Sequence, residues 1–213
     1  MRRRLAGLIS EREQIIAAIA HDVRTGLTRV RLRLDESRMP MGAELEDDLS
    51  QMEHLVSDML AYARAESPSG HRELVKLNQF LQDVAAHAPT PVRYESSLRP
   101  GETFVIAADP IALRRLFENL LENARRYGGG VVTMRVAAER ADLVVRIEDE
   151  GPGVPNDQIE AVFRPFHRLE GSRNRATGGS GLGLGIARSI ARAHGATVTL
   201  ENLQPRGLAA VVT

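Results

Sequence analysis

From Leu5 to Val30 the chain advances in alternating steps of four and three: Leu5, Ile9, Arg12, Ile16, Ile19, Val23, Gly26 and Val30. That spacing is the seam of a coiled-coil helix, and a seam needs a partner. A second run follows in Leu45, Leu49, Met52, Val56, Met59 and Ala63, and Ser37-Arg38-Met39-Pro40-Met41-Gly42 lies between the two. Its Pro and Gly break the helix, so the pattern predicts a helical hairpin. A two-helix hairpin of this length buries too little surface to be secure alone, whereas two copies packed together form a four-helix bundle with a proper core. A homodimer is therefore expected.

Beyond Ala65 the pattern changes. Glu66-Ser67-Pro68-Ser69-Gly70 is short, polar and rich in helix breakers, and reads as a linker. After it helix and strand alternate. Leu77 to Ala88 reads as helix and Thr103 to Ala107 as extended chain. Pro110 to Arg126 reads as a strong helix, opened by Asp109 as N-cap with Pro110 at its first position. Val131 to Ala138 and Leu143 to Glu148 read as strands, and Leu182 to His194 as a helix entered from a glycine-rich loop. Thr197 to Leu200 and Leu208 to Val212 close the chain as strands. The predicted organisation is a dimerising helical hairpin over 1–66, a linker over 67–71 and an α/β domain over 72–213.

Composition narrows the choice of chemistry. The 213 residues carry 28 Lys and Arg against 28 Asp and Glu, so no overall field draws the chain to nucleic acid or an anionic membrane. There is no Cys, which excludes disulfides, thiolate metal sites and a cysteine nucleophile. No apolar run approaches the roughly 18 to 20 residues of a membrane span, so this stretch is expected to make no membrane contact of its own.

Four groups of residues could carry chemistry. With Ile16 and Val23 at a positions and Ile19 at d, His21 falls at f, facing away from the seam. Asp22 adjoins it and Thr25 lies one turn on. An exposed neutral imidazole is a competent nucleophile towards a phosphoryl group, and an adjacent carboxylate can hold its tautomer. Asn119 and Asn123 are four apart on the Pro110 helix, so their carboxamides share a face that can meet a hard cation or phosphates. Asp149 follows a strand and precedes Gly151 and Gly153; such a carboxylate can accept from an exocyclic amine, and glycines beside it let a flat ring approach. Finally, Gly178-Gly179-Ser180-Gly181-Leu182-Gly183-Leu184-Gly185 enters a helix, where backbone N–H groups can receive phosphate oxygens. It is neither the dinucleotide fingerprint nor the P-loop. Each group alone also suits a solvated helix face, a plain turn or a surface loop.

Their order along the chain is more specific. The segment Ala20-His21-Asp22-Val23-Arg24-Thr25-Gly26-Leu27-Thr28-Arg29 resembles the phosphoacceptor box of sensor histidine kinases of two-component systems, most closely the osmosensor-like H-D-x-R-T-P-L-T-R branch. Asn119 and Asn123, then Asp149-Glu150-Gly151-Pro152-Gly153, then Phe163-Arg164-Pro165-Phe166, then Gly181-Leu182-Gly183, resemble the N, G1, F and G2 boxes of the Bergerat ATP-binding fold. That fold is shared by histidine kinases, certain chaperones, topoisomerases and mismatch-repair ATPases.

The resemblance implies a fold and an activity: an all-α dimeric hairpin followed by an α/β sandwich that binds ATP and Mg²⁺. His21 would take the γ-phosphoryl group with Asp22 as its base, and Thr25 would help dephosphorylate a response-regulator receiver domain, the partner whose aspartate receives the phosphoryl group. Asn123 would be the Mg²⁺ ligand with Asn119 near the phosphates; Arg126 would contact phosphate and Tyr127 stack on adenine. Asp149 would bind the adenine amine, with Gly151 and Gly153 shaping the pocket. Arg168, Arg173 or Arg175 would reach the phosphates from a lid over roughly 164–180, and Gly181, Leu182 and Gly183 would close over the triphosphate. Residues 1–13 resemble the tail of a signalling helix, implying a parent anchored in the inner membrane with this portion on its cytoplasmic side. One position departs from the branch: Gly26 stands where Pro is usual, keeping a backbone N–H and losing the ring clash. The expectation is an altered balance between kinase and phosphatase activity, the alternative being a phosphatase-dominant or nucleotide-sensing scaffold.

Overall fold

The computed structural model describes residues 23, 27, 28, 30, 49, 52, 53, 56–59, 72–140, 142–169 and 180–213. The elements after residue 71 are β1 (Glu73–Lys76), α1 (Leu77–Ala86), β2 (Val92–Ser96), β3 (Val105–Ala108), α2 (Pro110–Gly128), β4 (Val132–Glu139) and β5 (Asp142–Glu148). A 3₁₀ turn (Ala161–Phe163), α3 (Gly183–Ala193), β6 (Val198–Asn202) and β7 (Leu208–Val212) complete the chain. The described residues between 23 and 59 are all helical. Among the described residues no helix is long and apolar enough to cross a membrane.

Helix α2 forms where its sequence says it should. The Asp109 carboxylate accepts from Ile111 N at 2.9 Å and Ala112 N at 3.1 Å, a cap worth about 1 kcal/mol, and Pro110 fills the first turn. Gly129 ends the helix in the left-handed conformation, φ 63°. Leu113, Leu116, Phe117, Leu120, Leu121 and Ala124 are buried at helical spacing. In α3, Gly185, Ile186, Ala187, Ile190 and Ala191 are buried, and the small side chains let α3 lie close against α2. The start of α2 is tied to the end of α3, because Asp109 N–H donates to His194 Nε2 at 3.2 Å while His194 Nδ1 donates to the Ile190 carbonyl at 2.8 Å.

Five strands form one sheet in the order β2-β4-β5-β7-β6, with β2 parallel to β4 and the other pairs antiparallel; β1 and β3 pair separately. Alternation divides the large sheet cleanly. Met134, Val136, Val145, Ile147, Leu200 and Ala210 face the helices and join one core with Leu81, Leu116, Leu120 and Ile186. The opposite face carries a row of charges. Arg135 bridges Glu95 and Glu148, while Arg146 reaches Glu148 at 3.4 Å and Glu201 at 2.6 Å. The result is a helices-on-sheet sandwich.

Two strands escape the sequence pattern. Over Glu73–Lys76 only Val75 is buried, and Val92–Ser96 is an edge strand with Arg93 and Ser96 exposed, so neither shows a run of alternating apolar residues. Both exist because a neighbouring strand completes their ladders. Smaller differences lie at the ends: α1 stops at Ala86, α2 runs on to Gly128, β3 spans Val105–Ala108 and Leu182 caps α3 rather than opening it.

Candidate functional site

Strand β5 delivers Asp149 to a crowded corner between the end of α2 and the start of β7. Asp149 is only 7% exposed. Oδ1 accepts from Gly151 N at 2.8 Å and Leu208 N at 3.2 Å, and the Asp149 N–H donates to the Leu208 carbonyl at 2.9 Å. Both backbone donors converge on one oxygen, leaving Oδ2 to accept from something else. Burial pushes the Asp149 carboxyl above the ordinary aspartate range, opposed in part by those two N–H groups.

Three glycines make this corner possible. A Cβ on Gly128 would lie 2.4 Å from the Asp149 Cβ, one on Gly151 would lie 2.6 Å from the Tyr127 carbonyl oxygen, and one on Gly207 would lie 2.3 Å from the Asp149 carbonyl oxygen. Gly151 is required by the closeness of its own backbone to the end of α2. Gly153, at φ 76°, sits against Asn202, which accepts from Val154 N at 2.9 Å and donates to the Val154 carbonyl at 2.7 Å. Asn202 thereby fixes the chain beyond Asp149.

On α2, Arg115, Asn119, Asn123 and Arg126 are spaced i, i+4, i+8 and i+11, so they line one flank of the buried stripe. The flank is half-buried. Asn119 Nδ2 donates to the Arg115 carbonyl at 2.9 Å, which turns Oδ1 outward, where a Cβ on Gly183 would lie 3.1 Å away. The helix entrance of α3 thus faces the Asn flank directly. Arg126 Nη2 donates to Glu122 at 2.9 Å, and Glu122 also binds Arg125, which is the larger cause holding its carboxyl below the usual range. Tyr127 is 36% exposed beside the Asp149 corner.

The segment entering α3 is braced from the F motif. Phe163 is buried, and the Arg188 guanidinium stacks 4.3 Å over its ring while binding Glu160 at 2.7 Å. Phe166 adopts a left-handed φ of 62°, is exposed, and donates its N–H to the Gly181 carbonyl at 3.0 Å. Gly181, at φ 70°, packs against the Phe166 and His167 backbone, and Leu182 is buried. Arg168 follows, half-buried.

Contacts thus bring α2, which carries Asn119, Asn123, Arg126 and Tyr127, against Asp149 and Gly151 through Gly128 and against Gly183 through Asn119, and set Gly181 on the Phe166–His167 backbone just before Arg168; Gly153 packs on Asn202, and Leu182 is buried in the core. His21, Asp22, Thr25, Gly26, Arg173 and Arg175 lie outside the described residues. Gly128, Gly207, Leu208 and Asn202 are not among the site residues that the sequence motifs single out. None stands near Asp149 in a motif, and only the pairing of β5, β6 and β7 brings the latter three to it.

Comparison with known proteins agrees with this geometry. Residues 108–213 match the family model described as Histidine kinase-, DNA gyrase B-, and HSP90-like ATPase. Sensor protein RstB of Escherichia coli K12 is 38% identical over 211 residues, which cover 94% of this chain and 48% of that protein. Sensor histidine kinase GtrS of Pseudomonas aeruginosa is 37% identical, over 98% of this chain and 43% of its own length. The chain thus spans about half the length of these relatives. Among solved structures, full-length ShkA in complex with AMPPNP superposes with a TM-score of 0.68 at 24% identity, covering 93% of this chain and 45% of that one. Acinetobacter baumannii histidine kinase AdeS gives 0.58 at 20% identity, over 90% and 95%. The α/β domain is a Bergerat-type ATP-binding fold, and the chain belongs to the catalytic region of two-component sensor histidine kinases.

Proposed function

We propose that this chain is a protein-histidine kinase core that binds ATP on the face between α2 and α3, autophosphorylates on His21 and passes the phosphoryl group to an aspartate of a response-regulator receiver domain. The observation that carries the reading is the pairing of two chemistries on one face. At one end stands a buried carboxylate whose second oxygen takes no protein donor among the described residues; at the other, the Asn119 carboxamide faces the glycine entrance of a helix. A purine amine suits the first and a chain of phosphates the second. Asn123 would hold Mg²⁺ through its carboxamide oxygen, with the rest of the coordination from phosphates and water, and the ion would supply neutralisation of the triphosphate charge.

The remaining roles follow the same division. Asp22 accepts the imidazole proton, Thr25 serves phosphatase action on the regulator, and Arg168 is the described arginine best placed in sequence to reach phosphate. The unit 1–66 dimerises, 67–71 links, and 72–213 binds nucleotide. Exposure of Val23, Val30 and Met52 in the single chain supports dimerisation, since all three belong to the apolar seams of the two helices. Incubation with γ-labelled ATP, followed by acid treatment, tests the proposal. Label on the unaltered chain that is lost in acid, and none on His21→Ala, is the expected result; acid-stable label, or label persisting on the variant, would refute it.

A further inference from the structure

The polar flank of α2 is not open along its whole length. At its Arg115 end it meets residues 57–59 of the upstream helical stretch. Arg115 Nη2 donates to the Ser57 carbonyl at 2.8 Å and stands 3.6 Å from Asp58 Oδ1. The other oxygen of that carboxylate, Oδ2, accepts from the Ser180 hydroxyl at 2.7 Å. Ser180 Oγ in turn accepts the Leu182 N–H at 3.2 Å. Met59 packs against the core of the α/β domain and, with Leu27, against Val56, so apolar packing fixes the helix at this place.

A carboxylate gathering a hydroxyl and a guanidinium is what a phosphate oxygen gathers too. The groups involved belong to the phosphate end of the pocket. Ser180 immediately precedes Gly181, the Leu182 N–H heads α3, and Arg115 holds Asn119 through its carbonyl. Asp58 therefore sets a negative charge where a triphosphate must bring its own, and through Ser180 it keeps an entrance N–H occupied.

We propose that Asp58 is a built-in competitor of the substrate: the carboxylate stands in for a phosphate oxygen at the mouth of the glycine loop, and its withdrawal gives the tightest binding of a nucleoside triphosphate. This rests on the nucleotide-site reading and adds to it a control exerted by the upstream helix. The opposition is one of charge, so it acts on ATP and leaves adenosine untouched.

Calorimetry on the whole chain with the ATP analogue AMP-PNP plus Mg²⁺, and separately with adenosine, tests this. Asp58→Asn keeps the shape of the side chain and removes its charge. A charge roughly 5 Å from a phosphate oxygen in water-like surroundings corresponds to about a fourfold change, so AMP-PNP should bind Asp58→Asn on the order of fourfold tighter or more. Adenosine affinity should not move. Ser57→Ala is the control, because Ser57 meets Arg115 through its backbone carbonyl. Equal or weaker AMP-PNP binding by Asp58→Asn, or an equal gain for adenosine, overturns the inference and leaves the nucleotide site standing. Failure of the unaltered chain to bind either compound overturns the nucleotide site and this inference with it.

Discussion

Asp149→Asn separates the two jobs of this side chain. The carboxamide oxygen of Asn can take the place of Oδ1 and keep both backbone donors, Gly151 N and Leu208 N, so the corner should hold its shape. The second position changes from an acceptor to an NH₂ donor, which would then face the donor amine of adenine. A hydrogen bond to a charged acceptor contributes about 1.5–3 kcal/mol, so ATP affinity should fall roughly ten- to a hundredfold. The same exchange should favour a 6-oxo purine, whose oxygen accepts from the new NH₂ group. Calorimetry with ATP and inosine triphosphate therefore should show a reversal of preference. Stability should move the other way. Because burial raises the Asp149 pKa, the folded state holds its proton more tightly than the unfolded chain. That contribution is full below the ordinary aspartate pKa and is lost as pH rises through the raised folded value. At neutral pH the charge is thus a burden, and Asp149→Asn should melt at the same temperature as the unaltered chain or higher. Undiminished ATP binding by this variant, with no shift towards the 6-oxo purine, would sink the assignment of Asp149.

Three further outcomes are expected. ATP binding by the unaltered chain should weaken on acidification at a pH above that of an ordinary aspartate, and this step should vanish in Asp149→Asn; titrating affinity against pH checks it. Gly128→Ala would press a methyl group onto the Asp149 Cβ, so it should lower nucleotide affinity by tenfold or more, read by calorimetry, with far-ultraviolet circular dichroism showing the helices intact. Leu120→Ala removes a side chain that is 1% exposed at the centre of α2 and should cost about 2–5 kcal/mol in chemical denaturation, whereas Glu201→Ala on the outer charge row should cost about 1 kcal/mol or less and depend on salt.

Much of the helical architecture was written in the order of the residues. The Asp109-Pro110 start of α2, its buried stripe and the shared flank of Asn119 and Asn123 follow from helical period and capping, both local. Strands β4, β5 and β7 were legible because their buried face is continuous. β1 and β2 were not, since a short strand with at most one buried residue owes its existence to a partner distant in sequence. The same limit applied to the site. Asp149 with its two glycines was conspicuous as a motif, but a motif does not reveal which oxygen is already satisfied.

What the sequence determined by itself, then, was which residues could do chemistry and on which helical face they lay, because period, capping and turn preference act over a few residues. Tertiary structure alone decided that Leu208 N–H shares Oδ1 of Asp149, that Gly128 is compelled by the Asp149 side chain and Gly207 by the Asp149 backbone carbonyl, and that Asp58 reaches Ser180. Those contacts join residues up to 122 positions apart, and side chains so separated are brought within hydrogen-bonding distance only by the burial of a common core.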